Sequence, residues 1–378
     1  MRIQRKLLMA GALAVALALP AGVAAGARTI PVGGRGDFLA GLSAQQLAGQ
    51  RVVYSYAGLN PPASLISLIE HGEAAGVIFF GQNISSKAQI AAVIKRLEQA
   101  NASPLNPVRA PLLLMTDQEG GQVRRLPGQP DLSEKQIGAE PLSQAKAAAT
   151  AAGKGAAANL RGVGMNVNLA PVLDVYRTAG DFDDQYGRSY SMKPAVVSAL
   201  GANMIKAQQA GKVAATAKHF PGLGAATAAQ NTDAGPVMLN LTLAGTRGID
   251  EAPFKTAISA GVKLVMLSWA VYPAIQARPA GLSPKVVQGE LRSRLKFTGV
   301  TITDALEAGA LKNYGTMANR ALLAAQAGMD LILASSQNVT QGQQARGGLA
   351  VAYSNGTLGH QAFLASVNRV IALRKSLK

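Results

Sequence analysis

Residues 194–222 read Pro-Ala-Val-Val-Ser-Ala-Leu-Gly-Ala-Asn-Met-Ile-Lys-Ala-Gln-Gln-Ala-Gly-Lys-Val-Ala-Ala-Thr-Ala-Lys-His-Phe-Pro-Gly. Pro194 stands where a first helical residue needs no N–H donor, and Gly211, two residues after Gln209, stands where a helix end favours glycine, so the spacing predicts a helix over Pro194–Gln209. The apolar run Val213–Lys218 then predicts a buried strand, and Lys218-His219-Phe220-Pro221-Gly222 a polar turn at its carboxyl end. Working outward, the same unit recurs. Strand-like runs lie at Arg51–Tyr56, Gly76–Phe80, Pro111–Thr116, Met165–Val172, Leu264–Ser268, Gly299–Thr303 and Leu331–Ala334, which makes eight with Val213–Lys218. Between them fall helical stripes such as Ile90, Val93, Ile94 and Leu97, and a segment opened by Ser283 and Pro284 that carries Val287, Leu291 and Leu295. Continuous apolar strands alternating with amphipathic helices require a parallel sheet covered by helices, and eight units predict a single-domain α/β fold, the closed (β/α)8 TIM-type barrel. An open doubly wound sheet is the alternative, weakened because no glycine-rich dinucleotide fingerprint follows the first strand.

Composition agrees with a large buried core. Of 378 residues 48% are hydrophobic and only 15% charged, with 41 glycines. Cysteine is absent, which excludes disulfides, thiolate metal sites and cysteine nucleophiles. Histidine is confined to His71, His219 and His360, far apart in the chain, so neither a histidine-rich metal centre nor any other cofactor is expected. Arg2, Arg5 and Lys6 precede an uncharged run from Leu7 to Leu19 and the small residues Ala24-Ala25-Gly26-Ala27. That pattern predicts an export signal over residues 1–27, cleaved to leave a single mature domain over 28–378, with a retained anchor as the alternative. The mature protein is expected to be secreted, periplasmic or wall-associated. Without those three cations the formal +17 becomes +14, an excess that suits anionic cell-wall polymers as partners or simply confers solubility. Nucleic acid is not expected: aromatics total 4% and the Lys/Arg residues are scattered. The last apolar stripe, Phe363, Val367, Val370, Ile371 and Leu373, predicts a closing helix. No feature of the sequence assigns an oligomeric state.

Barrels of this type place their chemistry on the loops after the strands. There lie Asp117-Gln118-Glu119-Gly120-Gly121 with Arg125, Leu173-Asp174-Val175, Gly187-Arg188-Ser189, Lys218-His219, Ser268-Trp269 and Thr303-Asp304-Ala305-Leu306-Glu307. Carboxylates, guanidinium forks and an aromatic surface suit a polyhydroxylated neutral ligand, and cleavage of a glycosidic bond calls for two carboxyl groups. Asp304, at the tip of the seventh strand, is the candidate nucleophile, with a helix-capping carboxylate as the plain alternative.

The chain resembles glycoside hydrolase family 3, in its single-domain bacterial β-N-acetylglucosaminidase branch, through Gly76-Val77-Ile78-Phe79-Phe80, Asp117-Gln118-Glu119-Gly120-Gly121, Asn168 to Val175, Gly187-Arg188-Ser189-Tyr190, Lys218-His219-Phe220-Pro221-Gly222 and Thr303-Asp304-Ala305-Leu306-Glu307, in family order. The resemblance implies removal of a terminal N-acetylglucosamine, as from peptidoglycan-derived sugars, with retention through a covalent glycosyl-enzyme on Asp304. It places Asp117, Arg125, Arg188, Lys218 and His219 where the family grips the sugar. For the two arginines a salt bridge that orients a neighbouring acid is the alternative, and for His219 a supporting imidazole. Trp269 reads as core.

Two departures stand out. Asp304-Ala305-Leu306 replaces the usual Asp-Asp-Leu, and the loop Leu223 to Pro236 lacks the Asp-x-His dyad that carries the branch's proton donor. Asp233 is the only titratable side chain in that loop and becomes the tentative acid/base, provided that burial raises its carboxyl. Three outcomes stay open: replacement of the dyad by Asp233, an enzyme restricted to good leaving groups, or a degenerate barrel that binds wall sugar without cutting it. A β-glucosidase of the same family is a further alternative.

Overall fold

A computed structural model describes residues 36–377; the expected leader over 1–27 and the boundary expected after it lie outside the described residues. The chain divides into units 1–40 and 41–378; the first contributes the short helix Gly36–Ala40, and the second holds everything that follows.

Eight parallel strands close into a barrel: β1 (Val52–Tyr54), β2 (Gly76–Ile78), β3 (Leu113–Thr116), β4 (Val167–Asn168), β5 (Ala214–Phe220), β6 (Leu264–Leu267), β7 (Val300–Ala305) and β8 (Leu331–Leu333). Closure is made where β1 meets β8, with Val52 opposite Ile332 and Val53 opposite Leu333. Each expected run yields one strand with shifted ends. Met165–Val172 shortens most: regular pairing ends at Asn168, beyond which the Leu169 N–H still donates to the Thr116 carbonyl and Val172 makes only an isolated parallel bridge to Lys218. At β5 the ladder extends beyond Lys218 to Phe220.

The helices follow in alternation: α1 (Ala63–Glu70), α2 (Lys87–Asn101), α3 (Leu142–Arg161), α4 (Pro194–Ala210), α5 (Ala252–Ser259), α6 (Lys285–Arg294), α7 (Met317–Ala327), α8 (Val339–Ser354) and the closing α9 (His360–Ser376). In α2 the buried residues include Ile90, Val93, Ile94 and Leu97, the stripe read from the sequence, and Ser86 caps its start by accepting from the Gln89 N–H. Ser283 does the same for α6, accepting from the Val286 N–H at 3.1 Å, although α6 winds as a wider π-type helix.

Inside the barrel Val53, Ile78, Met115, Leu169, Met266 and Ile302 pack in one apolar cluster, which Val370, Leu373 and Leu377 of the C-terminal segment join. Each fully buried side chain of this kind contributes about 1.5–3 kcal/mol. The interior is therefore a filled core, and polar chemistry is confined to the strand ends.

Candidate active site

A cavity of about 370 Å³ opens at the carboxyl ends of the strands, and Asp117, Arg125, Arg188, Lys218, His219, Asp233 and Asp304 all line it. All seven candidate residues thus meet in one place, from loops up to 187 residues apart in sequence (Asp117 to Asp304).

β3 delivers Asp117, after which a small hairpin pairs Gln118–Gly120 with Val123–Arg124. The Gln118 side chain holds the turn, donating to the Leu126 and Gln129 carbonyls and accepting from the Leu126 N–H. Arg125 then returns to the mouth, its N–H donating to the Asp117 carbonyl at 3.1 Å. Gly120 makes this return possible: its φ is +123°, and a Cβ would lie 2.2 Å from the Leu132 carbonyl oxygen.

Lys218 Nζ lies 2.7 Å from Asp117 Oδ1 and 2.8 Å from Glu119 Oε1. Arg188 grips Glu119 in a two-pronged pair, Nε to Oε2 and Nη2 to Oε1, each 2.9 Å, and sends Nη1 to Asp183 at 2.9 Å. Glu119 is 2% exposed; burial alone would raise its carboxyl, but the Arg188 and Lys218 charges hold it down at about 2. Arg188 is therefore anchored by acids. Arg125 differs: its side chain has no hydrogen-bond or ion-pair partner among the described residues, and its buried Nε is unsatisfied. A half-buried guanidinium with free donors in a cavity is poised for a ligand's oxygens.

Behind this layer His219 Nδ1 lies 2.7 Å from Asp174 Oδ2, while Asp174 Oδ1 accepts from the His219 and Leu223 N–H groups. Burial opposes both charges, yet each partner favours the other's charged form, so the imidazole is shifted up and the Asp174 carboxyl down. Asp183, buried beside Asp174, is pushed up to about 7 by burial and then by the Asp174 charge. Asp174, Asp183 and His219 bring one possible metal-ligand atom each within 4.8 Å of one another. Asp174 is already saturated by three hydrogen bonds and Asp183 faces the Arg188 cation, so the donor set fits shared protons better than a divalent ion.

On the other wall Asp304 is half-buried, with Oδ1 accepting from the Ala305 N–H at 2.7 Å and no counter-ion among the described residues. Trp269 lies fully buried under it and donates Nε1–H to the Ala305 carbonyl at 2.8 Å, fixing the end of β7. Trp269 is core, as read from the sequence. The Asp233 loop docks on the segment after β7 through two backbone bonds, Gly309 N–H to the Asp233 carbonyl at 2.8 Å and Ala310 N–H to the Thr232 carbonyl at 2.9 Å. Asp233 as a residue is exposed at the rim, yet the walls around its carboxyl exclude enough water, with the Asp304 charge adding to this, to push it up to about 6. Phe182 and Tyr186 complete the rim, edge to face at 5.8 Å.

Glu119, Asp174, Asp183 and Tyr186 are the participants that the sequence reading did not assign to the site. Glu119 and Asp174 lie inside the quoted motifs, and the signal that would have found them is the unpaired cation: Lys218 and Arg188 needed buried counter-ions at neighbouring strand ends.

A parallel eight-stranded barrel whose mouth gathers a free carboxylate, a second carboxyl pushed up to about 6 and an unpartnered guanidinium defines a barrel glycosidase. The profile of the "Glycosyl hydrolase family 3 N terminal domain" matches residues 43–373, and the chain belongs to glycosyl hydrolase family 3. It is 46% identical over 332 residues to an uncharacterized secreted glycosyl hydrolase of Arthroderma benhamiae, covering 87% of this chain and 93% of the relative. A β-hexosaminidase of Stenotrophomonas maltophilia is 32% identical over 270 residues, 70% of this chain and 77% of that one. Among solved structures, the family 3 β-N-acetylglucosaminidase of Paenibacillus sp. str. FPU-7 superposes with a TM-score of 0.81 at 32% identity; it covers 89% of this chain, which spans 63% of the Paenibacillus chain. The β-N-acetylhexosaminidase of Beutenbergia cavernae gives 0.78 at 29% identity, covering 88% of this chain and 98% of its own.

Proposed function

We propose that this chain is an exported, retaining β-N-acetylhexosaminidase that removes a terminal N-acetylglucosamine from wall-derived sugars. Asp304 attacks the anomeric carbon while Asp233 gives its proton to the leaving oxygen, so the glycosidic bond breaks as the ester bond to Asp304 forms. Asp233 then takes a proton from water, which displaces Asp304 and returns the sugar with its configuration retained. Asp117, Arg125, Arg188, Lys218 and His219 hold the sugar. The observation that carries this reading is the pairing of an uncommitted Asp304 with an Asp233 carboxyl pushed up to about 6 in the same cavity. The names of the hexosaminidase relatives support the sugar class, and the leader over residues 1–27 and the secreted relative support export.

The test is release of chromophore from an aryl N-acetyl-β-glucosaminide and from the matching glucoside, with wild-type protein and Asp304→Ala. Faster release from the N-acetylated substrate is expected, with a loss of about 10³-fold or more in the variant, the scale on which removal of a covalent nucleophile registers. Equal rates in the two proteins remove Asp304 from the reaction. Silence on both substrates leaves a sugar-binding barrel.

A further inference from the structure

From residue 141 to the end of the described chain, charge is divided between the two ends of the barrel. From residue 141 onward, every carboxylate of the described chain is either buried or sits with Asp233, Asp304 and Glu307 at the mouth end. Lysines and arginines dominate the rest of that surface. Four of them stand where the chain enters four neighbouring strands: Arg161, the last residue of α3, before β4, and Lys212, Lys263 and Lys296 on the turns before β5, β6 and β7. All four are exposed, and none has an ion-pair partner among the described residues. They lie at the amino ends of the strands, on the floor of the barrel, opposite the mouth. Lys206, in the C-terminal half of α4, and Lys154, on α3, extend the same charge up the flank where α3 and α4 pack together. Shallow depressions of about 200 and 250 Å³ lie on either side of Lys263, the first also edged by Lys212.

These cations repel one another with no ion-pair partner of their own among the described residues, and an opposing polyanion relieves that repulsion. We propose that the floor and the α3–α4 flank form a docking surface for a flexible anionic polysaccharide bearing phosphodiester groups, which holds the enzyme with its mouth turned away from the polymer. Three of the four floor cations are lysines, compact point charges that suit phosphate without needing the planar fork that carboxylates favour. The cations wrap from floor to flank over a curved surface, so a flat bilayer reaches only part of them while a flexible chain follows them all. The reading stands independently of the proposed reaction, because it concerns the opposite end of the barrel.

Full-length protein is sedimented with purified wall glycan that carries phosphodiester polymer, and with the same glycan after acid removal of that polymer, at about 50 and about 500 mM salt, a range over which exposed charges become strongly screened. Binding to the intact glycan at low salt, lost at high salt and on the stripped glycan, is expected. The triple variant Arg161→Glu, Lys206→Glu, Lys263→Glu is expected to bind at least tenfold more weakly. A control triple with the same change in net charge on α2, Lys87→Glu, Lys95→Glu, Arg96→Glu, keeps wild-type binding. Both triples keep wild-type melting temperature and wild-type rates on the soluble aryl glycoside, which separates docking from folding and from catalysis. Equal weakening by the two triples, or by neither, overturns the assignment of the surface. Equally tight, floor-dependent binding to phosphatidylglycerol vesicles assigns the surface to a membrane instead.

Discussion

Asp233 and Asp304 line one cavity, and after burial the charge of Asp304 is the largest influence that lifts the Asp233 carboxyl to about 6. The relationship changes during the proposed reaction. With Asp304 ionised, Asp233 holds its proton and can donate it; once Asp304 becomes an ester its charge is gone, one cause of the upward shift disappears, and Asp233 becomes a carboxylate able to accept a proton from water.

The first prediction concerns pH. Asp233 must be protonated in the free enzyme, so kcat/KM for a glycoside with a poor leaving group is expected to fall tenfold per pH unit above about 6, the value at which the carboxyl titrates. Asp233→Asn lowers the rate by roughly 10²–10⁴-fold on that substrate, the usual contribution of a general acid, and abolishes the alkaline limb. With an activated aryl leaving group the first step loses little. A limb that persists unchanged in Asp233→Asn assigns the proton to another group.

The second sets two arginines apart. Arg125 has no partner to lose, whereas Arg188 anchors Glu119 and Asp183. Arg125→Ala is expected to raise KM by about tenfold or more, the value of a charged hydrogen bond, with an unchanged melting temperature. Arg188→Ala leaves buried Glu119 with Lys218 alone and costs about 3–5 kcal/mol of stability, as breaking a buried ion pair does. Thermal melts beside Michaelis curves read both. A large drop in melting temperature for Arg125→Ala contradicts its free donors.

The barrel was legible because every strand is an apolar run closed by polar or glycine-rich punctuation, and because one-sided stripes such as Ile90, Val93, Ile94 and Leu97 mark the helices between them. The π-type winding of α6 was not, since Val287 and Leu291 satisfy either winding and the choice falls to packing. In the site, polar residues at strand ends pointed to Asp117, Lys218 and Asp304. Which cation is unpartnered and which is anchored by acids could not be read: Arg125 and Arg188 look alike in sequence, and only the approach of Glu119, 69 residues from Arg188, tells them apart. The carboxyl shift of Asp233 likewise depends on Asp304, which folding brings to the same cavity from a distant strand.

The third prediction concerns stability. Glu119, held down at about 2, contributes stability that is fully present above the ordinary carboxylate range and lost as pH falls toward 2. Asp183 has the opposite sign: pushed up to about 7 by burial and by Asp174, it contributes stability below the ordinary range that is lost as pH rises through 7. The melting temperature of the wild type should therefore decline by a few degrees between about pH 5 and pH 7, at up to about 1.4 kcal/mol per pH unit for one group, and level off above 7, where Asp183 is ionised in both the folded and the unfolded chain. Asp183→Asn, an amide in place of a protonated acid, keeps its melting temperature over that range. The same decline in the variant removes Asp183 as its source.

The last prediction tests the placement of the acid through a residue that touches no substrate. Gly309 N–H donates to the Asp233 carbonyl at 2.8 Å, and a Cβ at Gly309 would lie 2.4 Å from the Ala234 carbonyl oxygen and 2.8 Å from that of Asp233. The obstacles are backbone atoms, so Gly309→Ala must push the Asp233 loop away from β7. Asp304 and the sugar-holding residues keep their positions, since they lie on other segments or on the strand itself. A displacement of about 1 Å is enough to cost on the order of 10²-fold in a positioned reaction. The loss is expected in kcat for poor leaving groups, with KM, melting temperature and the rate on activated aryl glycosides near wild type. Gly309→Ala acting equally on good and poor leaving groups would mean that the loop serves the site in some way other than carrying its proton.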